Sequence, residues 1–99
     1  MADLVDQTRD ALRQVLDPEA GLNIVDLGLI YDIEATDGAV MVTMTFTSPG
    51  CPAGDMLAAA AQQVVEAIEG VRTVSVKFSF DPLWTPESIS PDGRALLGW

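Results

Sequence analysis

The residues that decide the fold are LIYDIEATDGAVMVTMTF, positions 29–46. Asp37-Gly38 is typical of a two-residue type I′ turn, because both central residues of that turn need positive φ. A turn at this point makes the numbers of facing residues sum to 75. One face then pairs Ala35 with Val40, Ile33 with Val42, Tyr31 with Met44 and Leu29 with Phe46, and the other pairs Glu34 with Met41, Asp32 with Thr43 and Ile30 with Thr45. A slip of one residue would mix the two faces, so the sequence predicts an antiparallel hairpin in this register.

Helical spacing of apolar residues flanks the hairpin on both sides. The spacing from Leu4 to Leu16 predicts an amphipathic helix of about three to four turns that ends at Asp17-Pro18. A second apolar series runs from Met56 to Ile68 and predicts another helix. Pro52 fits the first turn of that helix and Gly70 fits its C′ position.

A third strand follows, with Val74, Val76, Phe78 and Phe80 alternating on one face. The order helix, strand, strand, helix, strand predicts an α+β two-layer sandwich in which both helices cover one face of a mixed three-stranded sheet. We expect residues 1–99 to form a single domain.

The segments that connect and follow these elements carry signals of their own. In the connection 17–28, apolar residues are expected to pack onto the body of the domain: Leu22, Ile24, Val25 and Leu27. Two cap signatures, Thr85-Pro86 and Ser90-Pro91, predict turns and one short helix in the tail.

Composition excludes several classes of function. Fifteen carboxylates against five basic side chains give a formal charge of −10, which disfavours nucleic acid and anionic membranes as partners. The chain has no histidine, and its single cysteine cannot form an internal disulfide. Its acidic start lacks the pattern of a signal peptide and no apolar run reaches membrane-spanning length, so we expect a cytoplasmic protein.

Cys51 stands between a predicted strand and a predicted helix, in the run from Thr47 to Pro52. Free N–H groups and the macrodipole at a helix N-terminus favour an anion, which lowers the pKa of a cysteine there and favours the nucleophilic, metal-binding thiolate. The alternative is a buried cysteine that serves as a small hydrophobic side chain.

Four blocks of sequence resemble one known family, the SufT-like and PaaD-like metal–sulfur cluster assembly factors, whose eukaryotic relatives serve cytosolic iron–sulfur targeting. The blocks are Asp17-Pro18-Glu19, the run from Asn23 to Tyr31, the run from Thr47 to Pro52, and the run from Asp81 to Pro86. They follow the family's order over nearly the whole chain.

The resemblance implies the fold predicted above and a role in maturing iron–sulfur proteins, with Cys51 as the key residue. It places four residues in one exposed pocket with that thiol: Asp26, Thr47, Ser48 and Gly50. It gives Glu19 and Trp84 a place at the pocket rim or at a dimer contact. The chain departs from the family in two ways, since eukaryotic relatives have a histidine where Gly50 stands and PaaD-like proteins have a cysteine-rich, zinc-binding tail.

Ligand counting limits what Cys51 can do. Iron–sulfur clusters are usually held by four thiolates, whereas this chain offers one thiol and no imidazole. Three options remain: two Cys51 thiolates in a symmetric dimer, transient binding of iron or a cluster at a contact with another protein, or an adaptor that binds no metal. We expect the protein to hold no cofactor tightly. We expect it to act as a binding factor for assembly machinery or recipient proteins.

Two other classes of function stay open. In one, the protein is a thiol-dependent enzyme in which Asp26 or a neighbouring carboxylate accepts the proton of Cys51. In the other, it is a structural adaptor with an inert cysteine. Exposed edge strands and a partly apolar tail are also compatible with a homodimer.

Overall fold

The computed structural model describes residues 3–18, 20–47 and 54–98. The elements in chain order are α1 (Leu4–Leu12), β1 (Leu16–Asp17), β2 (Leu22–Asn23), β3 (Ile30–Thr36), β4 (Ala39–Met44), α2 (Gly54–Glu66), β5 (Thr73–Phe78), a 3₁₀ turn (Pro86–Ser88) and α3 (Pro91–Leu97).

The main sheet has the strand order β3-β4-β5, with β3 antiparallel and β5 parallel to β4. Helix α1 packs on α2 and β3, while α2 packs on β5. These contacts confirm the predicted α+β sandwich with a mixed three-stranded sheet. The sequence did not predict the separate two-residue ladder between β1 and β2.

The hairpin register is confirmed next to the turn and wrong at its far end. Asp37 and Gly38 have φ values of 51° and 83°, and Ala35 pairs with Val40 as predicted. The register then shifts between Ile30 and Asp32, so that Ile30 takes the place opposite Met44.

This shift overturns three predicted pairs: Tyr31–Met44, Ile30–Thr45 and Leu29–Phe46. The Thr45 amide instead donates to the Leu29 carbonyl at 2.8 Å. The extra residue is Tyr31, whose hydroxyl donates to the carbonyl of Pro82 in the tail at 2.7 Å. The pairing rule uses only the position of the Asp37-Gly38 turn, so it cannot predict a bulge that accompanies a contact with a residue so distant in sequence.

Helix α1 is shorter than predicted. It ends at Leu12 with Arg13 as its C-cap, because the chain turns so that Leu16 pairs with Asn23 in the β1–β2 ladder. Val15 is buried, but Leu16 is 60% exposed and does not belong to the predicted apolar face.

The predicted second helix is confirmed at Gly54–Glu66, but it ends before Gly70. Gly70, with a φ of 97°, belongs to the turn that leads to β5. Met56 is 56% exposed although its spacing matched the apolar face, and Pro52 lies outside the described residues.

The core lies between the sheet and the helices. The sheet contributes Ile33, Val40, Val42 and Met44, the helices contribute Leu12, Leu57, Ala61 and Val65, and the long connection contributes Leu22, Ile24 and Leu27. Full burial of one such aliphatic side chain stabilises the fold by about 1.5–3 kcal/mol. The prediction that the connection packs onto the body is therefore confirmed.

The turn and the short helix predicted in the tail are confirmed. Thr85 stands at the N-cap position of the 3₁₀ turn, but its side chain makes no capping hydrogen bond. The Ser90 hydroxyl accepts a hydrogen bond from the Gly93 amide at 2.9 Å at the start of α3. Among the residues described, no helix has the length and apolar character needed to cross a membrane.

Candidate functional site

A cavity of about 360 Å³ lies where the long connection, the end of β4 and the tail meet. Its described lining residues are Asp17, Ala20, Leu27, Thr47, Trp84, Ile89 and Leu97. Asp17, Leu27 and Ile89 are buried, whereas the other four are half-buried, so the cavity extends from the interior to the surface. Its volume falls within the range of pockets that bind small ligands.

Asp17 contributes the charge to this lining. The residue is 2% exposed, its Oδ1 atom accepts a hydrogen bond from the Ala20 amide at 3.3 Å, and its carbonyl oxygen accepts one from Gly21 at 2.8 Å. Burying a carboxylate is costly unless polar interactions compensate it, and the Ala20 bond is one of the interactions of this side chain that do so.

Asp17 was not predicted to be a site residue. Its signal was the Asp17-Pro18-Glu19 block, in which Glu19 was singled out, and Glu19 lies outside the described residues.

Trp84 brings the tail against the cavity. Its indole N–H donates to the Leu27 carbonyl at 2.7 Å, so the polar atom of the ring is already bonded. The carbon atoms of the ring form part of the apolar wall of the cavity, together with Ile89 and Leu97 from the same tail.

Asp26 is not among the described residues that line the cavity. Its Oδ2 atom accepts from the Asn23 side-chain amide at 2.7 Å, and its Oδ1 atom accepts from the Ser90 hydroxyl at 3.0 Å. Its backbone carbonyl also accepts from the Ser90 amide at 2.8 Å. Because Ser90 caps α3, Asp26 joins the long connection to the last helix.

The connection between β4 and α2 is fixed at both of its described ends. At one end, the ring of Phe46 lies 5.0 Å from that of Phe78 and 6.1 Å from that of Phe80, measured between centroids. At the other end, Gly54 contacts the same Phe46 ring. Thr47, which follows Phe46, lines the cavity, so the segment that carries Cys51 starts in the cavity wall.

The predicted pocket residues thus divide into three groups. Thr47 and Trp84 are brought together in the cavity lining, and Asp26 lies in the hydrogen-bond network beside α3. The remaining four lie outside the described residues: Glu19, Ser48, Gly50 and Cys51. Within residues 3–18, 20–47 and 54–98, no group of three or more acidic, histidine or cysteine side chains could hold a metal ion.

Comparison with known proteins agrees with the fold and with the sequence blocks. Residues 6–77 match the family model described as iron-sulfur cluster assembly protein. A Fe-S protein maturation auxiliary factor of Porphyromonas gingivalis is 42% identical over 89 residues, which is 89% of this chain and 85% of the relative. A protein of the same description from Bacillus subtilis is 37% identical over 89 residues, covering 89% and 87% of the two chains.

A solved structure is also similar along nearly the whole chain. The crystal structure of a domain of unknown function, DUF59, from Bacillus anthracis superimposes with a TM-score of 0.91 at 32% identity, covering 96% of this chain and 92% of that one. The resemblance to SufT-like factors is thereby confirmed, and the chain belongs to the iron-sulfur cluster assembly protein family.

Proposed function

We propose that this protein is a maturation factor for iron–sulfur proteins, which binds assembly machinery or recipient proteins and uses the thiol of Cys51. Relatives that share most of its length are described as Fe-S protein maturation auxiliary factors. The observation that carries the proposal is that the family match includes Cys51, and that Thr47, the last described residue before it, lies in the wall of the cavity.

Iron or a cluster is the cargo in this proposal and not a resident cofactor. One thiol and no histidine supply fewer than the four ligands that a cluster usually has. The remaining ligands would come from the protein that delivers or receives the cluster, or from a second copy of this chain. A transient contact shared with a partner therefore fits the ligand count better than storage on one protomer.

The hydrogen bonds of Asp26 favour a binding factor over a thiol-dependent enzyme. Each carboxylate oxygen of Asp26 already accepts a hydrogen bond, one from Asn23 and one from Ser90. These two bonds account for Asp26 as a structural residue that joins the long connection to α3. No histidine is present to replace it as a general base.

The proposal is tested in a host strain that lacks the gene. The strain is complemented with the wild type, with Cys51→Ser, or with Thr36→Ala, which changes an exposed hairpin residue. We expect the Cys51 variant to accumulate normally but to leave iron–sulfur enzymes inactive, whereas Thr36→Ala restores them. Activity should return when iron and sulfide are added to the lysate under anaerobic conditions, since the enzymes lack only their clusters.

Two results would count against the proposal. Normal iron–sulfur enzyme activity in the strain without the gene would remove the maturation role, and full restoration by Cys51→Ser would remove the role of the thiol. Anaerobic reconstitution of the purified protein with iron and sulfide, read by absorption and by mass, separates the remaining modes. A coloured dimer in the wild type alone would indicate a cluster shared by two protomers.

A further inference from the structure

We propose that the free edge of β5 binds β5 of a second copy of this chain, so that the two main sheets join in a symmetric dimer. The two strands run antiparallel, with a two-fold axis at Val76. The contact uses neither Cys51 nor the cavity, so it goes beyond the proposed function and does not rest on it.

Every second residue of β5 directs its backbone groups away from the sheet. The Thr73 and Ser79 amides donate to carbonyl oxygens at the two ends of β4, at 3.3 and 3.0 Å. Because these groups alternate in direction along a strand, the outward N–H and C=O groups belong to Val74, Val76 and Phe78. Among the described residues, none forms a hydrogen bond with these outward groups.

The described part of the chain leaves this edge uncovered. Strand β5 is the last strand of the sheet, and each of its 6 residues is half-buried or exposed, with Phe78 at 45%. The tail crosses to the other edge, where the Tyr31 hydroxyl donates to Pro82. An exposed edge strand with free backbone groups is a template for pairing with another strand.

The opposite edge of the sheet is protected against such pairing. Strand β3 has a bulge at Tyr31 and two exposed carboxylates, Asp32 and Glu34. Bulges and edge charges both oppose the addition of another strand. Strand β5 pairs with β4 without a register shift and has one charged residue, Lys77. The two edges therefore differ, and β5 is the one suited to pairing.

The distribution of charge favours contact between two copies at this edge. Two chains of formal charge −10 repel each other over most of their surfaces. Residues 70–80 contain no carboxylate and include Arg72 and Lys77. Repulsion is therefore weakest where two β5 edges meet, and a two-fold dimer is the commonest closed arrangement of identical chains.

Backbone direction and Lys77 select one register. Outward residues exchange hydrogen bonds only with outward residues of the facing strand. Pairing Val76 with Val76 of the second copy uses all the outward residues, since Val74 and Phe78 then face each other on both sides of the axis. This register places Lys77 opposite Ser75 of the second copy. A shift in one direction would set the two Lys77 side chains opposite each other, and a shift in the other would leave Phe78 beyond the end of the facing strand.

Sedimentation equilibrium of the full chain without iron measures the dimer Kd, at concentrations up to the millimolar range. Ser75→Glu places a carboxylate opposite Lys77 of the second copy at two symmetric positions, so it should lower the Kd by about two- to thirtyfold. Ser75→Lys places like charges there and should raise the Kd by a similar factor. A general effect of net charge would give the reverse order, because glutamate makes each copy more negative.

Thr73→Glu is the matched control. Thr73 is also an exposed residue of β5, but in this register it lies opposite Ser79 of the second copy, so the added carboxylate should not lower the Kd. A wild type that stays monomeric over the whole range would overturn the proposal and leave the edge to a strand of another protein. Equal effects of the two glutamate variants would also overturn it.

Disulfide formation tests the register in a Cys51→Ser background, in which each chain carries one introduced thiol. Chains with Ser75→Cys and chains with Lys77→Cys should cross-link faster when mixed than either does alone, because each position faces the other in the dimer. Thr36→Cys, at an exposed position on β3, gives the background rate. Faster cross-linking of either chain with itself, or rates no higher than the background, would overturn the proposed contact.

The dimer and the proposed function can fail separately. Cys51→Ser should dimerise as tightly as the wild type, because the thiol takes no part in the strand pairing. Loss of maturation in that variant, with the dimer retained, agrees with both proposals. A monomeric wild type that still supports maturation would remove the dimer alone, and a dimer in which Cys51→Ser supports full maturation would remove only the role of the thiol.

Discussion

The ring of Phe46 lies against the backbone of Gly54, so closely that a Cβ atom at Gly54 would come within 2.8 Å of the ring carbon Cε2. Phe46 follows β4 and Gly54 begins α2, so this one contact joins the two described ends of the connection that carries Cys51. Phe78 and Phe80 support the ring from β5 and from the residues after it. The position of the α2 N-terminus therefore depends on a glycine at residue 54.

Gly54→Ala tests this contact. We expect the added methyl group to lower the free energy of unfolding by about 1–3 kcal/mol, the usual cost of overpacking a filled site. The higher helix propensity of alanine, at most about 1 kcal/mol, offsets only part of that cost. Urea unfolding of the single variant measures the difference.

Phe46→Leu provides the control, because the smaller side chain gives the new methyl group space. In the double variant, Gly54→Ala should cost less than it does alone, which a double-mutant cycle detects as a coupling free energy. Additive effects would mean that the two residues do not determine each other's position.

The hydrogen bonds between Asp26 and Ser90 lead to a second prediction, which concerns the free energy of unfolding. Ser90→Ala removes the N-cap of α3 and should lower the free energy of unfolding by about 1 kcal/mol. Asp26→Ala should cost at least as much, since its carboxylate accepts from both Asn23 and Ser90. Because the two residues share a hydrogen bond, the double variant should lose less than the sum of the single losses.

Alkylation of Cys51 in an Asp26→Asn variant separates a structural role of Asp26 from a catalytic one. We expect Asp26→Asn to leave the rate of reaction with iodoacetamide unchanged in the folded protein, because the structure gives Asp26 the role of joining the long connection to α3. A large fall in that rate, with the fold retained, would support the thiol-dependent enzyme instead.

Gly28 and Gly21 form a matched pair within the long connection. Both have positive φ, at 87° and 69°, but a Cβ at Gly28 would collide with the carbonyl oxygen of Ser88, whereas a Cβ at Gly21 would meet nothing within 4 Å. We expect Gly21→Ala to cost about 1 kcal/mol for its backbone conformation, and Gly28→Ala to cost substantially more. Thermal or urea unfolding compares the two, and equal losses would exclude the close approach of the 3₁₀ turn as the reason for glycine at residue 28.

Thr45 offers a stabilising change. Its side chain is fully buried, and its hydroxyl has no hydrogen-bond partner in the described part of the chain. Thr45→Val keeps the shape and removes the unsatisfied group, so the free energy of unfolding should rise by about 1 kcal/mol. Thr43→Val, at a half-buried position in β4, two residues before Thr45, should change it by less than about 0.5 kcal/mol. A loss of stability in Thr45→Val would point to a partner for that hydroxyl.

Local rules predicted those parts of the fold that depend on neighbouring residues. The Asp37-Gly38 turn and the alternation beside it determined the pairing of Ile33 with Val42, and Ser90-Pro91 marked the start of α3. The errors arose where a distant residue decides the outcome. Tyr31 leaves the register to reach Pro82, and the first helix stops at Leu12 because Leu16 pairs with Asn23.

The candidate site was predictable in part. Thr47 and Trp84 were named from the family resemblance and do line the cavity, whereas Asp17 stood in a helix stop and in a family block without a predicted role in the site. Sequence gives no direct measure of burial, and it is the burial of Asp17 that makes its carboxylate notable. The roles of Cys51 and its immediate neighbours stay predictions.

Three of the seven described residues around the cavity, Trp84, Ile89 and Leu97, come after residue 77, where the family match ends. The matched part supplies Asp17, the charged residue of the described lining, and the tail supplies three of the five apolar lining residues. Substitutions at Leu97 or Ile89 would consequently change the apolar wall of the cavity without changing a residue of the main sheet. Two chains that share residues 6–77 but differ in the tail would therefore have cavities with different apolar walls.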